Sequence, residues 1–219
     1  MTTDGLVIIE YESALSSQSH RYSEADLPTP WGPFRIVVYH FGEDEALALV
    51  RGAVAEHESV LTRVHSECLT GEVFGSLRCD CRQQLEHALG RIAAADLGVL
   101  VYLRQEGRGI VLGNKVRAYA LQDQGHDTVD ANLALGFAAD LRSYDMAAHI
   151  LRDLGVASVR LMTNNPAKLD GLREAGVVVA EHEPHWVASS DLSHGYLEAK
   201  RSKLGHLPAA LAGKKAGSG

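Results

Sequence analysis

The stretch QQLEHALGRIAAADLGVLVYL, residues 83–103, holds two periods in succession. Leu85, Ala88, Leu89, Ile92 and Ala93 recur at helical spacing with polar residues between them. Gly98 then closes the unit ahead of the apolar run VLVYL, 99–103, which reads as a strand. The alternation returns downstream. YDMAAHILRDLG, 144–155, carries Met146, Ile150, Leu151 and Leu154 as a helical stripe, with Gly155 placed at C′. VASVRLMT, 156–163, reads as a strand. NNPAKLDGLREAG, 164–176, reads as a helix with Asn165 as N-cap, Pro166 at N1 and Gly176 as its stop. VVVAE, 177–181, is another strand. Helix and strand in turn from 83 to 181 predict a partly parallel sheet with helices packed on it.

Upstream the texture changes. FRIVVYHF (34–41), EALALVRG (45–52) and SVLTRVHSE (59–67) are three β-prone runs whose links are too short for crossover helices. They read as a largely antiparallel meander. Residues 1–33 read as a loose polar lead-in turning on Pro28, Pro30 and Pro33, with a short strand at Leu6–Ile9. RQEGRGIVLGN, 104–114, reads as a Gly-rich connection, followed by a helix from Asn114 with Val116 and Ala120 on one side. Residues 125–142 read as a loop and a short helix, and a last short helix falls around 196–203. The expected fold is α/β, a mixed sheet flanked by helices with an antiparallel N-terminal portion. Its expected parts are an N-terminal extension (1–26), a main domain (27–207) and a flexible tail (208–219).

At 219 residues and 46% hydrophobic content, the chain fits one globular domain with a sizeable core. MTTDGLVIIEYESALS has neither a basic leader nor a long apolar run, and no window approaches roughly 18 consecutive apolar residues. The expectation is a cytoplasmic protein with no membrane partner. The net charge of −7, from 28 acidic and 21 basic side chains, argues against extended nucleic-acid binding. It leaves room for a local anion pocket.

All three cysteines, Cys68, Cys79 and Cys81, fall within RVHSECLTGEVFGSLRCDC, 63–81. An odd cysteine count with a C-x-C argues against a secreted disulfide framework. Three thiolates with one position left open are how a protein builds a catalytic zinc site, in which bound water becomes a nucleophile near neutral pH. Two readings stand beside it: a closed structural site completed by His65, or cysteines without a metal. The nucleobase-deaminase signature, H-x-E followed by P-C-x-x-C, is absent.

Basic residues punctuate the same chain. RQEGRG, 104–109, places Arg104, Glu106 and Arg108 after a strand, where backbone amides near Gly107 and Gly109 could line a phosphate; a solvated turn is the plainer reading. Lys115 and Arg117 extend the charge onto the next helix, and Arg63 and Arg78 add more near the cysteines. Thr163, Asn164 and Lys168 sit near a predicted helix N-terminus, a place that suits anions but equally suits simple capping. Asp140 and Arg142 fit either a surface pair or an acid beside a phosphoryl-stabilising cation. Together these clusters favour a polyphosphate-bearing small molecule.

RVHSECLTG (63–71), SLRCDC (76–81), RQEGRGI (104–110), NKVRAYALQDQG (114–125), LGFAADLR (135–142) and LMTNNPAK (161–168) resemble GTP cyclohydrolase II, an enzyme of riboflavin synthesis. YLEAKRSKLGH, 196–206, is similar too, and the resemblance runs from about 27 to 207. It implies a zinc- and magnesium-dependent hydrolase that opens the imidazole ring of GTP, releases formate and pyrophosphate, and leaves a diaminopyrimidine ribosyl monophosphate. By motif, Cys68, Cys79 and Cys81 would hold zinc, Tyr119 would serve ring opening, Asp140 would accept a proton and Arg142 would act at the α-phosphate. GTP contacts would fall to Arg63, Val64, His65, Ser66, Glu67, Gln84, Glu106, Gly107, Arg108, Thr128, Thr163 and Lys168. Magnesium would bridge the phosphates. The resemblance further implies a homodimer, and the length implies a monofunctional chain.

Where the family commonly reads EGRGIGLLNK, this chain reads EGRGIVLGNK, with Val111 and Gly113 at the two differing positions. A β-branched residue there is costly if the backbone has positive φ, unless Gly113 compensates sterically. The departure keeps altered outcomes in view, a formylated product or pyrophosphate release alone; a zinc-stabilised nucleotide-binding module without catalysis stands as a separate alternative.

Overall fold

The computed structural model describes residues 19–138 and 140–187. Seven strands form one sheet: β1 (Ser19–Thr29), β2 (Gly32–Phe41), β3 (Asp44–Arg51), β4 (Val60–Ser66), β5 (Gly98–Leu103), β6 (Val159–Met162) and β7 (Val179–Glu183). Their spatial order is β1-β2-β3-β5-β4-β6-β7. The first three strands are antiparallel, β5 runs antiparallel to β3, and β4 is parallel to both β5 and β6, with β7 parallel to β6. The mixed sheet with an antiparallel N-terminal portion is as the sequence predicts.

Two details differ. The run 59–67 does not continue the meander; it crosses to the centre of the sheet, and β5 later fills the slot between it and β3. A short link limits the crossover element, not the distance across the sheet that the chain steps. The burial of every residue from Val60 to His65 suits a central parallel strand covered on both faces. The lead-in is also more regular than expected, because Ser19–Thr29 pairs along its length with β2. It is an edge strand, mostly exposed and bulged between Arg21 and Ser23, so its polar sequence shows no hydrophobic period. The expected strand at 6–9, the helix around 196–203 and the tail from 208 lie outside the described residues.

Six helices follow in chain order among the described residues: α1 (Leu69–Glu72), α2 (Cys81–Ala93), α3 (Val111–Gln122), α4 (Thr128–Ala134), α5 (Asp145–Asp153) and α6 (Pro166–Glu174). Alternating strand residues sort the core onto two faces. Val64, Val99, Val101 and Leu161 join Ile150 and Leu172, and so lie under α5 and α6. Leu61, Leu100 and Met162 join Ala88, Leu89 and Ile92 of α2 on the other face. The predicted stripes of α2 and α5 are therefore the packed ones. Asn165 caps α6 by accepting a hydrogen bond from the Ala167 amide at 3.1 Å, and Gly155 beyond α5 has φ +72°. No helix of the described residues is long and apolar enough to cross a membrane.

Helix α3 departs from expectation in start and face. The RQEGRG segment forms a 3₁₀ turn at Glu106–Gly109, and α3 begins at Val111 rather than Asn114. It buries Lys115 and Ala118 while Val116 and Ala120 stay exposed. Val111 has φ +61°, the left-handed region in which a β-branched side chain crowds its own backbone. A Cβ at Gly113 would meet nothing within 4 Å, so that glycine offers no steric compensation.

Val111 is 62% exposed, so its side chain contributes little burial to offset the strain. Val111→Gly should therefore stabilise the fold by up to about 1 kcal/mol, the left-handed penalty less the added chain entropy of glycine. Thermal unfolding of the two proteins checks this; a lower midpoint for the glycine variant would show that the valine is not strained.

Candidate functional site

The parallel strands β5, β4 and β6 end side by side, and the loops leaving their carboxyl ends form the walls of a cleft. Its floor begins at Arg63. This side chain lies on the same face of β4 as Leu61 and is 5% exposed. A buried guanidinium needs partners. It donates to the Met162 carbonyl on β6 at 2.9 Å and to Gln84 Oε1 on α2 at 2.7 Å. The Gln84 amide in turn donates to Asp80 Oδ2 at 2.6 Å. Asp80 is buried and turned toward this basic neighbour rather than toward solvent. Burial lowers the Arg63 pKa to about 10, which leaves it a cation at neutral pH.

The chain from Arg63 to Asp80 ends between two cysteines. Cys68 precedes α1, Cys79 lies in the loop that follows it, and Cys81 starts α2. Their sulfurs lie within 4.8 Å of one another, with Cys68 and Cys79 at 3.5 Å. Bonds of roughly 2.3 Å in a tetrahedral zinc site would place sulfurs roughly 3.8 Å apart, so the triangle fits that ion. Helix α1 presses close behind it: a Cβ on Gly71 would come within 2.8 Å of the Cys79 sulfur and 3.2 Å of the Cys68 sulfur. Among the described residues, these three cysteines are the group that could hold a metal. His65 is not part of that group; its Nε2 is bonded to Glu72 Oε1 at 2.8 Å. Hydrogen bonds from Cys79 and Cys81, with the Lys115 charge added, hold the Cys68 thiol far below its ordinary pKa; the bond to Cys68 pushes Cys79 up.

Glu106 and Lys115 back the sulfurs. Glu106 accepts the Leu69 amide at 2.7 Å and the Gly107 amide at 2.8 Å, and Lys115 Nζ lies 2.6 Å from its Oε1. The same ammonium donates to Cys68 Sγ at 3.1 Å. Burial works against that charge, but the Glu106 and Cys68 contacts outweigh it and raise the Lys115 pKa. On the open side, the Tyr119 hydroxyl is 3.2 Å from Thr70 Oγ1, and Arg78 lies over its ring. Burial raises the Tyr119 pKa and keeps it a phenol.

Most sequence-selected residues meet here. Arg63, His65, Ser66, Glu67 and Gln84 line the cleft from β4 and α2, and Glu106, Gly107 and Arg108 line it from the 3₁₀ turn. Thr163, Lys168, Tyr119 and Arg142 complete the ring with the cysteines. Val64 and Asp140 do not join it in the same way. Val64 packs in the core on the opposite face, and its carbonyl accepts from Lys168 Nζ at 2.6 Å. Thr128 opens α4. Asp140 is held beside the cleft by Arg142, whose Nε donates at 2.8 Å and whose Nη2 donates at 2.5 Å. Burial alone would raise the Asp140 pKa, but those bonds hold it low. Arg104 and Arg117 are exposed on neighbouring surfaces, and Lys115 is committed to the Glu106 carboxylate rather than to a ligand.

Two side chains of the cleft were not picked out as site residues from the sequence. Lys115 was visible only as one charge in a basic segment. His185 lies beyond β7, outside any pattern, yet lines the cleft with Nε2 bonded to the Gln84 carbonyl at 2.9 Å. A carbonyl only accepts, so Nε2 carries the proton and Nδ1 is an acceptor, without a partner among the described residues. Arg63 Nε and Ser66 Oγ are likewise buried without a hydrogen-bond partner among the described residues. Unsatisfied polar atoms grouped on one cleft suit a polar ligand.

The GTP cyclohydrolase II family profile matches residues 20–184. The chain is 53% identical over 193 residues to GTP cyclohydrolase-2 of Shigella boydii, covering 87% of this chain and 98% of that protein. The corresponding protein of Cronobacter sakazakii is 54% identical over 193 residues, with the same 87% and 98% coverage. Riboflavin biosynthesis protein RibBA of Bacillus subtilis is 51% identical over 203 residues; the match covers 91% of this chain but spans only 51% of that longer protein.

His185 gives the fold an acid limit. Burial depresses its pKa to about 3, against about 6.5 when unfolded, so the native state holds it neutral. Its contribution is complete above pH ~6.5 and is lost as pH falls, by about 1.4 kcal/mol per unit between those values. Urea unfolding at pH 7 and pH 5 should show a smaller stability loss for His185→Gln than for the parent; equal losses would remove His185 as the cause.

Proposed function

The chain belongs to the GTP cyclohydrolase II family of hydrolases, and from that membership we propose that it acts on GTP. The proposed reaction opens the imidazole ring with release of formate and cleaves the triphosphate with release of pyrophosphate. The product is 2,5-diamino-6-(5-phospho-D-ribosylamino)pyrimidin-4(3H)-one. The observation that carries this reading is the sulfur triangle opening onto a cleft that also presents Arg63, Arg108, Arg142 and Lys168.

Zinc held by Cys68, Cys79 and Cys81 would supply Lewis acidity and a nucleophile drawn from water at neutral pH. The chain supplies the rest. Tyr119, kept as a phenol beside the sulfurs, would hold a proton at its hydroxyl for the opening ring nitrogen. Arg142 is bonded to a carboxylate and stays protonated, so its proposed part is to stabilise charge on the α-phosphate rather than to attack it. Asp140 becomes a proton acceptor only as that pair loosens onto substrate. Arg108 and Lys168 would face the phosphates, together with magnesium carried by the triphosphate. Neutral His185, His65 and the Ser66 hydroxyl suit the nucleoside, whose N–H and O–H groups donate.

Exposed Val73, Phe74, Leu77, Leu112 and Val116 support the proposed homodimer, since apolar surface of this kind favours a second copy over water. Val111, strained beside the turn of Arg108, favours a second reading. In it the phosphate turn is shifted, and the reaction stops at a formylated pyrimidine or at pyrophosphate release.

Zinc-loaded protein incubated with GTP and magnesium should yield formate, pyrophosphate and the pyrimidine monophosphate by mass analysis. Cys68→Ser should lose turnover by several orders of magnitude while its circular dichroism stays native. GTP recovered intact from the zinc-loaded parent would sink the reading, and a formylated product would select the second one.

A further inference from the structure

Lys115 is buried, and its ammonium lies in contact with a sulfur as well as a carboxylate. An ordinary core ion pair needs only the second of these. Glu106 already accepts from two backbone amides and the ammonium, three of the roughly four acceptor sites of a carboxylate. One of those amides belongs to Leu69, the residue after Cys68, so the carboxylate fixes the cysteine's backbone and the lysine together. Lys115 Nζ also lies 5.8 Å from the centre of the Tyr119 ring. A single cation therefore touches the metal-ligand sulfur, its backbone anchor and the face of the phenol.

We propose that Lys115, locked by Glu106, is a positioning residue of the metal site that directs the Cys68 sulfur toward the ion and offsets the charge of three thiolates. This rests on the reading of Cys68, Cys79 and Cys81 as zinc ligands. Three thiolates around a divalent cation leave a net negative charge, and sulfur in that state is a strong acceptor. A hydrogen bond from an ammonium draws electron density from the sulfur and lowers the repulsion within the triangle. The Glu106 carboxylate offsets part of the lysine's charge, but the ammonium is the member of the pair that contacts the sulfur, so its hydrogen bond acts there directly. Groups in this position commonly govern metal retention by 10- to 100-fold. Glu106 accordingly supports the metal ligands as well as lining the cleft.

The test uses the full chain as Lys115→Met, which keeps the length of the stem, and Lys115→Arg, which restores a cationic donor. Zinc affinity is read by competition with a chromophoric chelator. The cobalt(II)-substituted protein is read by its sulfur-to-metal charge-transfer band. Lys115→Met should bind zinc about 10-fold or more weakly and move the band to longer wavelength, with Lys115→Arg recovering part of both. Unchanged affinity and band position in a folded Lys115→Met would overturn the proposal, reducing Lys115–Glu106 to a packing pair. Should Lys115→Met not fold, Lys115→Gln takes its place, with the same two outcomes. A parent protein that binds neither zinc nor cobalt would instead overturn the metal reading of the cysteines, and the role of Lys115 with it.

Discussion

A guanidinium buried between the central strands is the constraint from which the site is built. Arg63 cannot be left without partners at that depth, and its partners are a carbonyl of β6 and the amide of Gln84 on α2. Gln84 then holds Asp80, the residue between Cys79 and Cys81. One charge thus fixes the spacing of two strands and a helix, and fixes the turn that presents two of the three sulfurs. The third is set from the other side by Glu106 and Lys115. The triangle is held between two polar chains, one starting from β4 and the other from the 3₁₀ turn and α3.

The parts legible in the sequence were those with a period. α2 and α5 showed their packed faces because burial there repeats every three or four residues, and α6 showed its cap because Asn165 and Pro166 act locally. β1 was invisible since an edge strand exposed on most sides needs no apolar alternation. The place of β4 was misread because nothing local says which neighbour a strand will have; β5, more than thirty residues later, decides it. α3 was misread because the residue it buries most usefully is a lysine, and hydrophobic patterning cannot anticipate a buried cation.

The site followed the same division. Cysteine identity and spacing indicated a metal without any knowledge of the fold. Basic residues indicated an anion, but charge in a sequence does not say which charges are already spent. Lys115 and Arg142 are paired with carboxylates in the structure, so the cleft is less positive than its composition suggests. His185 carried no signal, since it acts through a bond to the Gln84 backbone, which any residue type would present.

The close approach of Gly71 to the sulfurs has a further meaning for the chain's history. The position has no space for even a methyl group unless the cysteines retreat, so α1 and the ion-binding triangle cannot drift independently. A substitution there would be felt as altered coordination long before it was felt as a less helical turn. The bare α-carbon of this glycine is, in effect, the backing against which the Cys68 and Cys79 sulfurs rest.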